Sequence, residues 1–410
     1  MTIISIVHEL RMASGTNMKK KILKKYENDG AWREILKATY DTRIVYNVGP
    51  PSSLEFEESP IEFDLFDSLE KLSEREVSGN AAKQLASEMS EKYGEIYRLI
   101  LGRSIKAGVS STTINKVYPG LIPVFKSMKG LDTPILEFPV RSSIKFDGVK
   151  VFAFVRPSEI TLTSSSGAEF ILESLIEELN TATYGVYEGE LVHKDGRQIY
   201  RTKISGQLNS LLAGTKTDLE DYTYQIYDFV PLEEWDVKYG VSTFFERQSM
   251  LIAQFETGFQ DSKYIKQVEH IQHESIKEVE KYFEYLISEK YEGSMHRYDE
   301  DVYEWKRVPR LIKKKTIKEC VLTCTEVVPH SNPAKGLTGS LVCEGKIKDK
   351  DVGEVFIQVN VGSGLSKFDI QRTPDYFINE SIEILYNTVL ETGGKFSLFL
   401  PRFKRVVGNV

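Results

Sequence analysis

A chain of 410 residues, 41% hydrophobic and 28% charged, suits a soluble protein with two or three domains, each with its own core. No stretch approaches the length of a membrane span, and the N-terminus lacks the charged, apolar and small-residue succession of a secretory signal. A cytoplasmic protein without membrane contact is therefore expected. A formal net charge of -7 would disfavour nucleic acid if it were spread evenly, but averages hide patches.

Taken in chain order, residues up to about 126 read as helical. Lys19, Lys20, Lys21, Lys24 and Lys25 crowd one predicted helix, while an acidic stretch runs from about Glu55 to Glu76. Leu85, Met89, Tyr93, Ile96 and Ile100 then recur as one face of an amphipathic helix, with Ser78-Gly79-Asn80 as its turn and cap. From Val149 the period becomes alternating. Val149 to Val155, Tyr184 to Val192 and Tyr222 to Val230 are rich in β-branched and aromatic residues and read as strands. After Lys315 short strands separated by Gly and Pro turns are predicted at Glu319 to Val327, Gly339 to Cys343, Glu354 to Val361, Ser381 to Leu390 and Phe396 to Leu400, the pattern of a small five-stranded barrel. Cys320, Cys324 and Cys343 are too few for a disulfide framework or a four-ligand zinc site and read as buried thiols.

The run Ile144-Lys145-Phe146-Asp147-Gly148-Val149-Lys150 resembles the Lys-x-Asp-Gly-x-Arg motif of ATP-dependent DNA ligases and mRNA capping enzymes. In that superfamily the lysine amine attacks the α-phosphorus of a nucleotide and holds it covalently. Alone the match is weak. Tyr187-Glu188-Gly189-Glu190-Leu191, Tyr227-Asp228-Phe229-Val230-Pro231-Leu232, Glu292-Gly293 and Lys313-Lys314-Lys315 follow it. These resemble the remaining nucleotidyltransferase motifs in their order and rough spacing.

The chemistry needs such a set together. A lysine near its usual pKa of ~10.4 is protonated at neutral pH, so nearby cations must favour the neutral amine. Lys313 and Lys315 are candidates for that role and for neutralising the α-phosphate. Mg²⁺ prefers oxygen ligands and keeps several waters, so Glu190 and Glu292 suffice to hold it against phosphates. The resemblance further implies that Asp147 sits at the ribose and that Tyr227 stacks on adenine. Ile144 and Lys150 complete the implied nucleotide site. Taken singly, Glu188 and Glu190 also suit a solvated strand face, Tyr227 suits a core aromatic, and the basic segment Lys306 to Lys318 suits a solvated surface.

Ser78-Gly79-Asn80-Ala81-Ala82, the run from Ile114 to Pro123, Val328-Pro329-His330, Asn360 to Leu365 and Phe399-Leu400-Pro401 narrow the resemblance to the T-even bacteriophage branch of the ATP-dependent DNA ligases, over nearly the whole chain. It implies a multidomain α+β protein: an all-α DNA-binding domain (1–126), an α/β nucleotidyltransferase of the ATP-grasp-like ligase type (127–315) and a β-barrel OB-fold domain (316–410), with Phe399-Leu400-Pro401 in the last strand. It also implies a monomer that takes AMP from ATP onto Lys145, passes it to the 5′-phosphate of nicked duplex DNA, and seals the nick as the 3′-hydroxyl displaces AMP. Lys106, Gly108, Ser110 and Lys116 around the loop Lys106 to Thr113, together with Arg247, Lys306 and Arg307, are the expected DNA contacts. They would read charge and groove shape more than bases.

The pattern departs from the family at several points. Ser143 stands two positions before the nucleophile, where Glu or Gln usually reads adenine. Ser165 replaces an arginine, Lys150 replaces another and loses its bidentate fork, and Arg297 stands where a lysine usually ends its motif. The C-terminal basic cluster is reduced to Arg402, Lys404 and Arg405 before Val410. A capping guanylyltransferase, an RNA ligase and a catalytically impaired nick-binding protein remain alternatives at this point. The nicotinamide-binding domain and four-cysteine zinc module of NAD-dependent ligases are not apparent.

Overall fold

A computed structural model describes residues 2–52, 60–195, 201–212, 215–330, 336–349 and 352–407. Residues 55–59 of the acidic stretch and 408–410 at the C-terminus lie outside them. The chain divides into two compact units, Met1–Leu10 with Gly15–Lys315 and Arg11–Ser14 with Thr316–Val410.

Helices come first: α1 (Ile3–Met12), α2 (Gly15–Lys25), α3 (Gly30–Tyr40), α4 (Phe63–Ser73), α5 (Gly79–Leu101) and α6 (Ser111–Asn115). Asp29 caps α3 by accepting from the Trp32 amide at 3.0 Å, which seats the Trp32 ring in the core. In α5 the expected apolar stripe is interrupted. Gly94 has φ 60°, a value glycine reaches without the Cβ penalty, and the kink turns the helix. Before it the buried face is Ala82, Ala86, Ser90 and Tyr93, with Leu85 and Met89 only half-buried, and beyond it Ile96, Tyr97 and Ile100 are buried.

The strands of the first unit are β1 (Lys129–Leu131), β2 (Val140–Lys145), β3 (Val149–Val155), β4 (Ile160–Ser164), β5 (Glu169–Phe170) and β6 (Gly185–His193). They continue with β7 (Tyr222–Val230), β8 (Ile265–Gln267), β9 (Ile271–His273), β10 (Gly293–Arg297) and β11 (Arg307–Lys315). Five form a sheet in the order β1-β11-β10-β2-β9, and six form another in the order β5-β4-β3-β6-β7-β8. The period of two in β3 serves both of its neighbours. Val151, Ala153 and Val155 enter a core with Tyr187, Leu191, Tyr224 and Ile226 beneath α7 (Glu173–Leu179), α8 (Arg201–Leu212) and α10 (Phe244–Thr257). Phe152 and Phe154 point the other way and pack with Met128, Trp235 of α9 (Leu232–Val237), Tyr303, Leu311 and Met295, so that the two sheets meet face to face. On the outer side of the five-stranded sheet, Val279 of α11 (Ile276–Ser288) covers Val140 and Ile312.

Between β2 and β3 the chain crosses from one sheet to the other in three residues, Phe146-Asp147-Gly148. A Cβ on Gly148 would stand 2.3 Å from the Leu191 carbonyl oxygen and 2.6 Å from Val192 Cγ1. The crossover is therefore possible only with a residue that has no side chain.

The second unit holds β12 (Lys318–Pro329), β13 (Thr338–Asp349), β14 (Gly353–Val361), β15 (Ser381–Tyr386), β16 (Thr388–Thr392), β17 (Lys395–Phe399) and β18 (Arg402–Val407). Their order is β16-β17-β14-β13-β12-β15-β18, and a bridge between Ser363 and Arg402 links the end of β14 to β18. A ring β12-β13-β14-β18-β15 results. The expected strand Phe396 to Leu400 is not part of this ring, since β17 forms a hairpin with β16 and a short parallel contact with β14. The last strand is β18 and not Phe399-Leu400-Pro401. Leu400, at φ 51°, and Pro401, which has no amide hydrogen, end β17. Cys324 and Cys343 face each other across β12 and β13 and are buried; Cys320 is half-buried, and all three are free thiols. Among the described residues no helix is long and apolar enough to cross a membrane.

Candidate active site

Lys145 ends β2, and the ladder explains which residues accompany it. β10 pairs with β2 on one edge and β11 on the other, so Gly293 lies between Lys145 and Lys315, and Met295 lies between Ser143 and Lys313. Directly opposed residues of antiparallel strands project to the same face. Lys145, Lys313 and Lys315 thus share the face that carries Met295 and Leu311 toward the six-stranded sheet. Gly293 keeps the middle of the row open. A Cβ there would meet the Lys314 carbonyl oxygen at 2.1 Å and Lys315 Cα at 2.9 Å. Glu292, just before β10, accepts a hydrogen bond from the Lys145 amine, and the two side chains are 10% and 22% exposed.

Facing this row, β3 and β6 supply Lys150, Glu188 and Glu190, with Lys150 opposite Glu190 and Phe152 opposite Glu188. The Lys150 amine pairs with Glu188 and donates to the Met128 carbonyl at 3.2 Å. Glu188 is buried and also accepts from the Tyr303 hydroxyl, so it does not sit on a solvated face. Burial lifts the Glu190 carboxyl from 4.5 to about 7; Lys145 and Lys150 pull it down, and Glu292 pushes it up. Glu190 is therefore within electrostatic reach of Lys145 and of Glu292.

A stability test follows from that shift. Between pH about 4.5 and about 7 the folded protein holds a proton on Glu190 that the unfolded chain has released, so this group's contribution falls as pH rises through the window. Glu190→Gln is expected to flatten that decline, read as the difference in urea midpoint between variant and parent from pH 5 to 8. Parallel pH profiles for the two proteins would rule out the burial of this carboxyl.

Tyr227 owes its orientation to a bulge. β6 and β7 slip by one residue between Glu188 and Gly189, where Glu188 pairs with Asp228 and Gly189 with Ile226, and the extra residue is Tyr227. Its ring turns to the layer between the sheets, 5.9 Å from the Lys150 amine and 5.8 Å from the Arg297 guanidinium. Beside it Asp228 is fully buried between two arginines. Arg247 donates to Oδ1 at 2.8 Å and to Oδ2 at 3.2 Å, and Arg297 donates to the same Oδ2. Burial alone would raise the Asp228 carboxyl, but these two guanidinium groups hold it down at about 2.

That pairing corrects one expected DNA contact. Arg247 is completely buried, and its Nη1 donates to the Ser242 and Asp301 carbonyls at 2.7 and 3.2 Å, so it faces the core of its unit and no surface. Sequence reasoning missed the Asp228 network because it joins three distant segments. The one visible signal was Arg297 standing in place of a lysine. The other expected DNA contacts are on the surface. Lys106, Gly108, Ser110 and Lys116 are exposed, and Ser110 caps α6 through the Thr113 amide at 3.3 Å. Lys19, read with the lysine cluster of α2, is instead buried and holds this loop through the carbonyls of Ala107 and Gly108. Lys306 and Arg307 are exposed, with Lys306 beside Glu304 at 2.5 Å and Arg307 opposite Lys129 in the ladder.

Asp147 is buried in the crossover, Ser143 is buried beside Met295, and Ser165 lies on the exposed turn between β4 and β5. In the second unit Lys404 is paired with Glu319 at 2.7 Å and Glu383 at 3.1 Å, and Arg405 with Glu383 at 2.5 Å.

No family model matches the chain. The DNA ligase of Enterobacteria phage T6 is 26% identical to it over 97% of this chain and 94% of the phage protein, and the DNA ligase of Enterobacteria phage T4 is 25% identical over the same shares. Among solved structures, Pmar-Lig_Pre. covers 100% of this chain and 99% of its own at TM-score 0.75, and Pmar-Lig_PreS3 covers 99% of each at 0.74, both with 22% identity. A Lig E DNA ligase aligns with 68% of this chain and 98% of its own at TM-score 0.53 and 16% identity. The likeness to T-even phage DNA ligases thus runs through nearly the whole sequence, and the fold is shared with the solved structures.

Proposed function

We infer that the chain is an ATP-dependent DNA ligase that seals nicks between a 3′-hydroxyl and a 5′-phosphate in duplex DNA. The observation that carries this is the in-register row Lys145, Gly293 and Lys315, with Glu292 on the Lys145 amine and Glu190 close by. Likeness along nearly the full length to two phage DNA ligases supports it.

In the first step the Lys145 nitrogen bonds to the α-phosphorus of ATP, the bond to pyrophosphate breaks, and the amine sheds a proton. Lys313 and Lys315 stabilise the charge that passes to the phosphate oxygens, while Glu292 holds the amine in line for attack. Tyr227 offers its ring to the base, and Lys150, with Glu188 as its counterion, sits beneath it. AMP then moves to the DNA 5′-phosphate and leaves as the 3′-hydroxyl attacks. The residues present fit Mg²⁺. Glu190 and Glu292 are oxygen donors, with Glu292 close enough to oppose the ionisation of Glu190, and among the described residues no cluster of three or more metal-ligating side chains gathers, so water and phosphate would fill the other positions. Bound there, the ion would neutralise phosphate charge.

The helices before β1 and the surface carrying Lys106, Gly108, Ser110, Lys116, Lys306 and Arg307 are assigned to the DNA backbone, and the ring β12-β13-β14-β18-β15 to an OB fold. The protein works as a monomer in the cytoplasm. Incubation with Mg²⁺ and α-labelled ATP or GTP, followed by nicked DNA, tests the assignment. Label is expected on the protein from ATP and then on sealed product. Label from GTP alone would indicate a capping guanylyltransferase, and no label from either would leave a nick-binding protein without catalysis.

A further inference from the structure

We propose that Lys19 is a positioning residue for the DNA backbone: from inside the helical segment it turns two neighbouring peptide groups so that the Gly108 and Val109 amides face a phosphate of the nicked duplex. This rests on the ligase reading above. Lys19 is 5% exposed, whereas Lys21, Lys24 and Lys25 of the same helix are exposed. A lysine leaves water at a cost that only hydrogen-bond partners offset. Its amine donates to the carbonyl of Ala107 and, at 3.1 Å, to that of Gly108, which lie 88 and 89 residues further along the chain. Bringing two consecutive carbonyls onto one atom needs a tight bend. Gly108 supplies it at φ 60°, with Lys106 at φ 49° just before it.

A trans peptide group is planar, and its N–H points opposite to its C=O. These two groups are trans. With the Ala107 carbonyl turned in to Lys19, the Gly108 N–H is turned away from it, and the Gly108 carbonyl does the same for the Val109 N–H. Among the described residues neither amide has an acceptor. Adjacent amides left in this way make a donor pair suited to phosphate oxygens. The side chains leave the approach clear. Gly108 is exposed and has none, Val109 is buried, and the Ser110 hydroxyl accepts from the Thr113 amide. Lys106 and Lys116, both exposed, bring charge to the same loop, whereas the amides bring direction. Such a contact fixes where a phosphate sits without reading a base.

The test uses the full chain with ATP, Mg²⁺ and a nicked duplex ending in a 3′-deoxy sugar, which binds without being sealed. Its Kd is read across salt concentrations and with single methylphosphonates, each replacing one charged phosphate oxygen by a methyl group. Lys19→Met keeps the aliphatic stem and removes the donor. It is expected to raise Kd by about 10-fold, the scale of hydrogen bonds to a charged group, at an unchanged salt slope, because the Lys19 amine meets no phosphate itself. Lys106→Met, at an exposed position, is expected to reduce the slope by about one instead. At one phosphate the methyl group is expected to cost Lys19→Met about 3-fold less than it costs wild type, since the amides there are already lost. A wild-type Kd in Lys19→Met, a reduced slope, or the wild-type penalty at every methylphosphonate would overturn the proposal. If Lys19→Met does not fold, Val109 is exchanged for its α-hydroxy analogue, which puts an ester oxygen in place of the N–H. An unchanged Kd there overturns the proposal too. Failure of wild type to form any adduct with ATP would overturn the ligase assignment instead.

Discussion

Lys145→Ala, given Mg²⁺ and labelled ATP, is expected to carry no label, with adduct formation reduced on the order of 10⁴-fold or more, as for loss of a covalent nucleophile. The neighbouring lysines do not substitute for it. Lys315 and Lys313 project from a strand two ladders away, and a bond-forming atom displaced by a strand spacing of about 4.8 Å is outside attack distance. The same variant is expected to seal a nick whose 5′-phosphate already carries AMP, because that final displacement uses the 3′-hydroxyl and no lysyl adduct. If both reactions fail together in a folded variant, Lys145 serves the site in some way other than carrying AMP. If the label persists, another residue is the nucleophile.

Arg247→Ala is expected to destabilise the first unit by about 3 kcal/mol, visible as a lowered urea midpoint. The substitution leaves Asp228 fully buried with only Arg297 to balance it. It also removes donors from the Ser242 and Asp301 carbonyls and a cation 5.7 Å from the Phe244 ring. A lost phosphate contact would behave differently, leaving the midpoint alone and reducing the salt slope of nick binding by about one charge. A wild-type midpoint with a reduced slope would restore Arg247 to the DNA surface.

These two residues mark how far the sequence could be read. Lys145 was legible because its motif is local: the Asp-Gly that follows it is needed for a three-residue crossover in which Gly148 has no room for a Cβ. β3 and β7 were legible for a similar reason, since alternation over seven to nine residues is set by the two faces each strand presents. Arg247 was not legible. Nothing next to it in the sequence distinguishes an arginine that meets a phosphate from one that meets a buried aspartate 19 residues away. Likewise the α5 stripe was read straight through Gly94, because a period of 3.6 cannot register a kink. The β18 strand was missed because Arg402, Lys404 and Arg405 mask its alternation.

Local patterns along the chain set out the residue types of the proposed reaction, a lysine followed by a turn, later carboxylates and then Lys313 and Lys315, and the order in which they occur. They also determined which segments alternate and which wind. Tertiary structure alone decided that β2, β10 and β11 lie side by side in register, which turns three separate motifs into one row of Lys145, Gly293 and Lys315. It also decided that a one-residue bulge turns Tyr227 into the space between the sheets, and that Arg247 and Arg297 are committed to Asp228. The physical reason is range. Periodicity and turn chemistry act over a few residues, whereas strand register and charge burial depend on partners brought from 19 residues away, as for Arg247, to 147, as for Glu292.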